Sequence, residues 1–363
     1  MIPTIAAALT FSIAYTIFAV ARVLLFPRRA ESPALHLPPV TIAKPLCGDE
    51  PELEENLRSF CEQDYPSYEV IFAVASPDDP AIAVARRVMR ANDRIVIAPP
   101  GRAKNRKVNS LIAIERDSTS PILVVADSDI RAGRDYLRTI VAEFDDPRVA
   151  GVTAVYSGRA TPALASRLGA MYIDESFLPS VLVATALAPL DFFLGATMAV
   201  RRDALRQVGG FEALADDLAD DYMLGRRLRA AGHDLRLAKT IVQTTVSERT
   251  TRELLRREIR WSRTIRTVRP IGHFFTILTM PLVWAAILLL VRRSPLAIAL
   301  ACVAIVSRIA MHFATKRSAS WIWIPLRDAL TFAVYCASFL GRRVVWRDRP
   351  FGVSADGQLH EQT

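Results

Sequence analysis

The chain is poor in cysteine and histidine and carries no glycine-rich phosphate loop. Its 363 residues include four cysteines and five histidines. Cys47, Cys61, Cys302 and Cys336 form no CxxC pair, so free thiols are expected. No GxGxxG follows a strand-like run and no GxxxxGK[ST] occurs, which takes the main support from dinucleotide-fold and P-loop readings. Internal repeats and low-complexity tracts are missing as well. The net charge is +9, yet there is neither an aromatic-interleaved basic patch nor finger spacing, so nucleic acid is not the expected partner. Much of the arginine instead flanks apolar runs, where it would meet anionic lipid.

Apolar sequence is what the chain has in excess. Hydrophobic residues make up 51% and the mean hydropathy is +0.22, with the surplus at the two ends. Residues 2–21 hold no charge and the apolar run continues to Phe26, long enough to cross a bilayer. Without a basic leader start or a small-residue cleavage site, an anchor is expected rather than a signal peptide. Residues 271–291 form a second candidate span. A third, 295–313, is broken only by Arg308, and a fourth, 321–341, carries Arg327 and Asp328. Arg28-Arg29 follow the first run and Arg263, Arg266 and Arg269 precede the second. The positive-inside rule then leaves everything between them in the cytoplasm. Lys316-Arg317 after the third run fit this plan; Arg342-Arg343 after the fourth do not, unless that segment is re-entrant or interfacial. An Arg–Asp pair at membrane depth is costly and should face protein or a water-filled cavity.

Between the ends, strand and helix patterns alternate. Strands are expected at Val40–Ala43, Val70–Ala75, Ile95–Ala98, Ile122–Ala126, Val149–Tyr156 and Phe192–Val200, where Gly195 permits close backbone approach. Helices are expected after Asp49-x-x-Glu52, which resembles a capping box, and over 81–90, 104–115 and 135–144. This order predicts a parallel sheet covered by helices. Residues 160–190 are apolar without a clean period; a surface dipping toward lipid and a buried helix pair fit them equally.

Three stretches carry chemistry. The run Ile122–Ala126 drives into Asp127-Ser128-Asp129, placing two carboxylates at the carboxyl edge of a strand, where ligands of open α/β sheets bind. Close carboxylates repel unless a cation sits between them, and hard oxygens suit Mg²⁺ or Mn²⁺ shared with a diphosphate. A solvated loop would hold the same residues. Lys104, Arg106 and Lys107 precede that strand and would neutralise a diphosphate or simply begin a helix. Asp216, Asp217, Asp220 and Asp221 cluster before an amphipathic run closed by Gly232. Acids at a helix start are ordinary, although one held beside a sugar donor would serve as a base. Finally, Thr250-x-x-Glu253 reads as a capping box for a helix to Val268, on which Arg257, Arg260 and Trp261 share one face. Arginine suits phosphate oxygens and tryptophan offers a flat wall; a juxtamembrane helix would look the same.

Taken in order, these stretches resemble the ceramide-glucosyltransferase-like family of inverting glycosyltransferases (family 2/21 type). The resemblance covers Lys44 to about Pro270 and the membrane plan at both ends. It rests on Lys44-Pro45-Leu46, Asp64-Tyr65-Pro66, Asp78-Asp79-Pro80-Ala81-Ile82, Asn105-Arg106-Lys107-Val108-Asn109, Asp127-Ser128-Asp129-Ile130-Arg131, Gly209-Gly210-Phe211, Ala219-Asp220-Asp221-Tyr222 and Arg257-x-x-Arg260-Trp261. Cys47-Gly48-Asp49-Glu50-Pro51, Phe177–Val183 and Arg263–Pro270 look most like the hopanoid-biosynthesis-associated branch, which is bacterial.

The resemblance implies a GT-A-like, Rossmann-type, mostly parallel sheet with helices on both faces, plus transmembrane helices at both ends. It implies an anchor at 1–27, a catalytic domain at 36–268, a membrane region at 269–345 with two to three spans or re-entrant segments, and a polar tail at 346–363. The implied setting is a bacterial inner membrane, crossed several times, with the catalytic domain facing the cytoplasm. Asp78 or Asp79 would lie near the base and ribose of a UDP-sugar, Asp127 and Asp129 would hold a divalent cation on its diphosphate, and Lys107 would face the phosphates. Asp221 would be the general base, with Asp220 its nearest rival, while Arg257, Arg260 and Trp261 would close over diphosphate and sugar. The expected reaction moves one sugar, N-acetylglucosamine or glucose, to a hydroxyl of a membrane lipid. A hopanoid polyol is the first expectation for that lipid and ceramide the alternative. A processive polysaccharide synthase and a non-catalytic nucleotide-sugar sensor are the remaining rivals.

Overall fold

In the computed structural model, residues 1–27, 34–101, 103–217, 219–315, 321–341, 343–346, 349–353 and 359–361 are described. Arg28-Arg29, Lys316-Arg317 and Arg342, and much of the tail expected at 346–363, lie outside them. The chain resolves into two compact units. Neither is continuous in sequence. One comprises Met1–Phe26, Ala160–Ala186 and Val246–Thr363; the other comprises Pro27–Arg159 and Leu187–Thr245.

The helices in chain order begin with α1 (Ile2–Leu25), α2 (Leu53–Cys61), α3 (Ala81–Val88), α4 (Arg106–Asp117) and α5 (Tyr136–Ala142). Next come α6 (Leu164–Tyr172), α7 (Leu178–Leu187), α8 (Arg202–Gln207), α9 (Asp220–Ala230) and α10 (Thr251–Val268). The last are α11 (Pro270–Phe275), α12 (Pro281–Val291), α13 (Pro295–Ala314) and α14 (Ile324–Ser338). The strands are β1 (Val40–Pro45), β2 (Tyr68–Val74), β3 (Arg94–Ile97), β4 (Ile122–Val125), β5 (Ile130–Arg131), β6 (Val149–Ala160), β7 (Met198–Arg201) and β8 (Asp234–Val246). Three further strands, β9 (Arg343–Trp346), β10 (Arg349–Val353) and β11 (Leu359–Glu361), form a small antiparallel sheet.

The second unit is built on an eight-stranded sheet of order β3-β2-β1-β4-β7-β6-β8-β5. Its first four strands are parallel. Alternation along them explains why helices cover both faces. Ile42, Val70, Phe72 and Val124 join the side chains of α2, α3 and α5, including Leu57, Phe60, Ala85 and Tyr136. Their neighbours Ala43, Ile71, Ala73, Leu123 and Val125 join Val108, Leu111 and Ile114 of α4 and Leu224 and Leu228 of α9.

Beyond β4 the sheet departs from the expected parallel plan: β7 pairs antiparallel with β4 and with β6, and β5 pairs antiparallel with β8. The expected strand Phe192–Val200 is correspondingly shorter. It begins at Met198, and Leu194 and Thr197 make an isolated bridge before it. The capping box at Asp49–Glu52 does not form. Glu52 takes the helix-start position at φ 60° without capping it, and its carboxylate instead accepts from Arg159 at 2.9 Å.

In the first unit, α1, the run Leu164–Leu187 and α13 are long and apolar enough to cross a membrane. The expected span 271–291 is not one straight helix. It is bent by 62° between Pro270–Thr279 and Pro281–Val291, where Pro281 cannot continue the hydrogen-bond ladder of the preceding turn. The fourth expected span is α-helical only over Ile324–Ser338, after a 3₁₀ turn at Trp321–Trp323. Ile5, Leu9 and Ile13 of α1 pack with Ala285 and Leu288 of α12 and with Ala297, Ala301 and Ala304 of α13. The early halves of α1 and α13 share this cluster, so the two helices run in the same direction.

Arg308, Asp328 and Arg327 of these segments are paired internally. Arg308 bonds Asp328 at 2.9 and 2.8 Å. Arg327, fully buried, forks onto Glu258 at 2.9 and 2.8 Å and reaches the Leu168 carbonyl at 3.2 Å.

Candidate active site

The apolar run Ile122–Ala126 is buried because β4 sits inside the sheet. Asp127 is the first residue free to leave it. The β1 residue Lys44, itself fully buried, donates to the Asp127 carbonyl at 2.5 Å and lies 4.0 Å above the Phe60 ring. Burial lowers the Lys44 ammonium to about 8, against the opposing charges of Asp129 and Asp127. Asp129 turns toward β8, where its carboxylate accepts from Thr244 Oγ1 at 2.9 Å and its carbonyl from Thr245 N at 2.9 Å. Burial, and next the Asp127 charge, raise its carboxyl to about 7.

A second side of the site comes from the start of α4. Asn105 caps that helix by accepting from Lys107 N at 3.0 Å. This aims Lys107 inward, with Nζ 2.8 Å from Asp127 Oδ1 and 3.4 Å from Asp220 Oδ2. Burial alone would lower the Lys107 ammonium, but Asp127 and Asp220 outweigh it and hold the group well above its ordinary value. Asn105 Nδ2 also reaches Asp220 Oδ1 at 3.4 Å.

The third side is the start of α9, where Asp220 and Asp221 are the first two residues. The other two acids of the cluster have structural partners: Asp216 meets Lys104 at 3.5 Å and buried Asp217 meets Arg227 at 3.3 Å. Asp221 Oδ1 accepts from Tyr222 N at 2.8 Å. Burial, and next the Asp220 charge, raise the Asp221 carboxyl to about 6.

The three sides meet at Gly195. A methyl group there would lie 3.3 Å from Asp127 Oδ2, 3.4 Å from Asp221 Oδ2 and 3.9 Å from Lys107 Nζ. The structure thus brings Lys107, Asp127, Asp220 and Asp221 around one backbone position. Asp79 is occupied elsewhere, accepting from Gly48 N and Ala81 N, each at 2.9 Å; it ties the β1–α2 loop to the start of α3. Asp78 is exposed. Sequence reasoning gave no role to Lys44, Asn105 or Thr244. For Lys44 the sequence shows only a lysine ending the apolar run Val40–Ala43; its burial belongs to the fold.

The arginine–tryptophan set belongs to the other unit. Thr250 caps α10 as expected, accepting from Glu253 N at 3.2 Å. Arg257 pairs with Glu248 at 2.8 Å, and its guanidinium lies 5.0 Å from the centre of the Trp261 ring. Arg260 sits on the same helix, its guanidinium lowered chiefly by burial and next by the Arg257 charge.

The donor set is consistent with a hard divalent cation. Asp127 and Asp129 offer carboxylate oxygens, and the raised Asp129 carboxyl marks negative charge that a cation would relieve. Among the described residues no group of three or more histidines, cysteines and acids could hold a metal alone. Such an ion would need oxygens from a bound phosphate, as Mg²⁺ commonly does.

Fold and sequence pattern together define a GT-A-like glycosyltransferase. The mannosyltransferase PcManGT of Pyrobaculum calidifontis, solved with GDP-Man and Mn²⁺, superposes with a TM-score of 0.54 at 21% identity, covering 93% of this chain and 99% of that one. The chain belongs to Glycosyl transferase family 21, whose sequence model matches residues 4–359. Ceramide glucosyltransferase 3 of Caenorhabditis elegans is 26% identical over 62% of this chain and 50% of its own length. Ceramide glucosyltransferase of Komagataella phaffii is 35% identical over 25% of this chain and 19% of its own. The chain spans about half the length, or less, of the curated relatives it matches.

Proposed function

We propose that the protein transfers one sugar from a UDP-sugar to a hydroxyl of a membrane lipid, with inversion at the anomeric carbon. The observation that carries this reading is the convergence of Asp127, Lys107 and Asp221 at Gly195, where the missing side chain lets all three groups approach one backbone position. It offers a phosphate-facing cation and a base whose ordinary acidity has been weakened. Asp221 takes the proton of the attacking hydroxyl as its oxygen bonds to the anomeric carbon and the bond to UDP breaks. Lys107 meets the charge that grows on the leaving diphosphate. A divalent cation held by Asp127 and Asp129 would add Lewis-acid stabilisation of the same oxygens. Arg257, Arg260 and Trp261 are assigned to the donor by the family pattern. Asp78, exposed in the loop after β2, is the better candidate for base and ribose, because Asp79 is bound to backbone.

The curated matches are ceramide glucosyltransferases, which favours the ceramide alternative over a hopanoid polyol and glucose over N-acetylglucosamine. The arginine flanks of the apolar runs support a cytoplasmic position for the sheet-bearing unit. Mass spectrometry of lipids from membranes holding the protein tests the reading, with UDP-glucose or UDP-N-acetylglucosamine offered against ceramide or hopanoid polyol. Ceramide gaining one hexose, and none with a chelator, is expected. A hopanoid gaining N-acetylhexosamine would restore the other acceptor, high-molecular-weight glycan would point to a processive synthase, and nucleotide binding without product would leave a sensor.

A further inference from the structure

The run Leu164–Leu187 has the length and composition of a span, yet its contacts put its middle at the wrong depth for one. Glu175 lies near the centre of the run, within the π turn Ile173–Phe177. Its carboxylate meets His312 Nδ1 at 2.6 Å and accepts from Arg308 at 3.2 Å. His312 stands in the last turn of α13, which ends at Ala314. At ~1.5 Å per residue, Glu175 is about 17 Å from either end of its run and His312 about 3 Å from the end of its helix. With 20 residues, α13 just crosses the hydrocarbon layer, which is about 30 Å thick. Its end therefore reaches the headgroup boundary, and the middle of Leu164–Leu187 is there with it. The run lies along the membrane face rather than through it.

A polar cluster is thereby held within about 9 Å of the headgroup boundary, with His312 at its outer end and Arg308 at its inner one. Glu175, His312 and Arg308 are 3%, 0% and 4% exposed, while the Asp328 side chain, forked onto Arg308, is 13% exposed and marks the open side. With Nδ1–H donating to Glu175, the far nitrogen of the neutral imidazole is the one that carries a lone pair. That Nε2 is buried and meets no hydrogen-bond partner among the described residues. An unpaired buried acceptor is unfavourable, and ionisable groups at membrane depth commonly face a substrate. Two carboxylates, one arginine and one imidazole leave the cluster without excess positive charge, so it offers nothing to anionic phospholipid and suits an uncharged donor.

We propose that His312 Nε2, oriented by Glu175 and backed by the Arg308–Asp328 pair, receives the uncharged polar headgroup of the lipid acceptor through a hydroxyl or amide N–H. The proposal rests on the lipid-glycosylation reading above. The full-length protein in nanodiscs provides the test, with two variants. His312→Asn keeps a donor for Glu175 and removes the Nε2 acceptor; His312→Gln keeps an acceptor near Nε2. The Asn variant should raise the acceptor KM roughly tenfold or more with the UDP-sugar KM unchanged, and the Gln variant should recover part of the loss. A folded Asn variant with unchanged acceptor KM, or one that loses kcat alone, would overturn the site. Native mass spectrometry of retained ceramide, hopanoid polyol or phosphatidylglycerol decides the matter without turnover. Retention of a neutral lipid that His312→Asn abolishes supports the site even if no sugar is transferred, in which case the glycosylation reading alone fails. Equal retention by both proteins, preference for phosphatidylglycerol, or retention of neither neutral lipid by the wild type overturns it.

Discussion

Asp220 and Asp221 are neighbours in sequence with different surroundings, and the difference assigns their work. Asp220 is 5% exposed and engaged by Lys107 and Asn105, whereas Asp221 faces the space at Gly195. Asp221→Asn should retain UDP-sugar binding and lose about 10²–10⁴-fold in transfer, as read by calorimetry beside a turnover assay; near wild-type transfer would remove Asp221 as the base. A base must be ionised, so kcat/KM should fall as pH drops below the Asp221 value of about 6 and level off above it. Asp220→Asn removes the neighbouring charge that helps raise that value, and should move the acid limb to lower pH without abolishing turnover. If the limb stays in place, the two carboxylates are not coupled. Gly195→Ala is a sterically minimal probe. Its methyl would come within 3.3–3.4 Å of both carboxylates, tighter than ordinary contact, so donor affinity should drop roughly tenfold while the melting temperature holds. Unchanged affinity would mean the donor does not use this space. Gly195 was legible in sequence as a point of close backbone approach. Lys44 was not, because a buried lysine is stabilised by carbonyl and carboxylate partners that only the folded sheet supplies.

At the scale of elements, period and punctuation revealed what local chemistry alone decides. The strands β1 to β4 and the helices between them follow from alternating apolar runs and their breaks. The Thr250–Glu253 cap formed because α10 leaves Thr250 extended, with its hydroxyl free to accept. The similar Asp49–Glu52 pattern failed because Glu52 is drawn to Arg159, which lies on β6 and is distant in sequence. The antiparallel β8 was missed for a related reason: its polar, β-branched residues become a strand only against β6 and β5. Arg327 is expected from the sequence to face protein or a water-filled cavity, and it faces protein: it is a buried anchor for α10, forked onto Glu258, which immediately follows Arg257 on that helix. Arg327→Met alone would leave Glu258 buried and unpaired, costing about 3–5 kcal/mol. Thermal unfolding in detergent should show a large drop for that variant and a smaller one for Arg327→Met with Glu258→Leu. Equal drops would show that the pair is not what holds α10.

For the whole molecule the open question is which membrane face carries the sheet-bearing unit, and the cysteines supply a probe already in place. Cys47 is exposed in that unit, Cys61 is buried and its thiol is pushed up to about 12, chiefly by burial. Cys302 is exposed on α13, near the middle of a helix just long enough to cross the bilayer. A thiolate is the reactive form, and an apolar setting suppresses it. With Cys336→Ser removing the remaining exposed thiol, an impermeant maleimide should label Cys47 in inside-out vesicles and nothing in right-side-out ones. Cys302 should stay silent in both until detergent is added. Labelling of Cys47 from the outer side would reverse the orientation drawn from the arginine flanks, and a UDP-sugar made in the cytoplasm could not then reach Asp127. Ready labelling of Cys302 in intact vesicles would instead show that α13 does not cross the membrane. The headgroup depth assigned to Glu175 and His312 would fall with it, because that depth is measured from the end of α13.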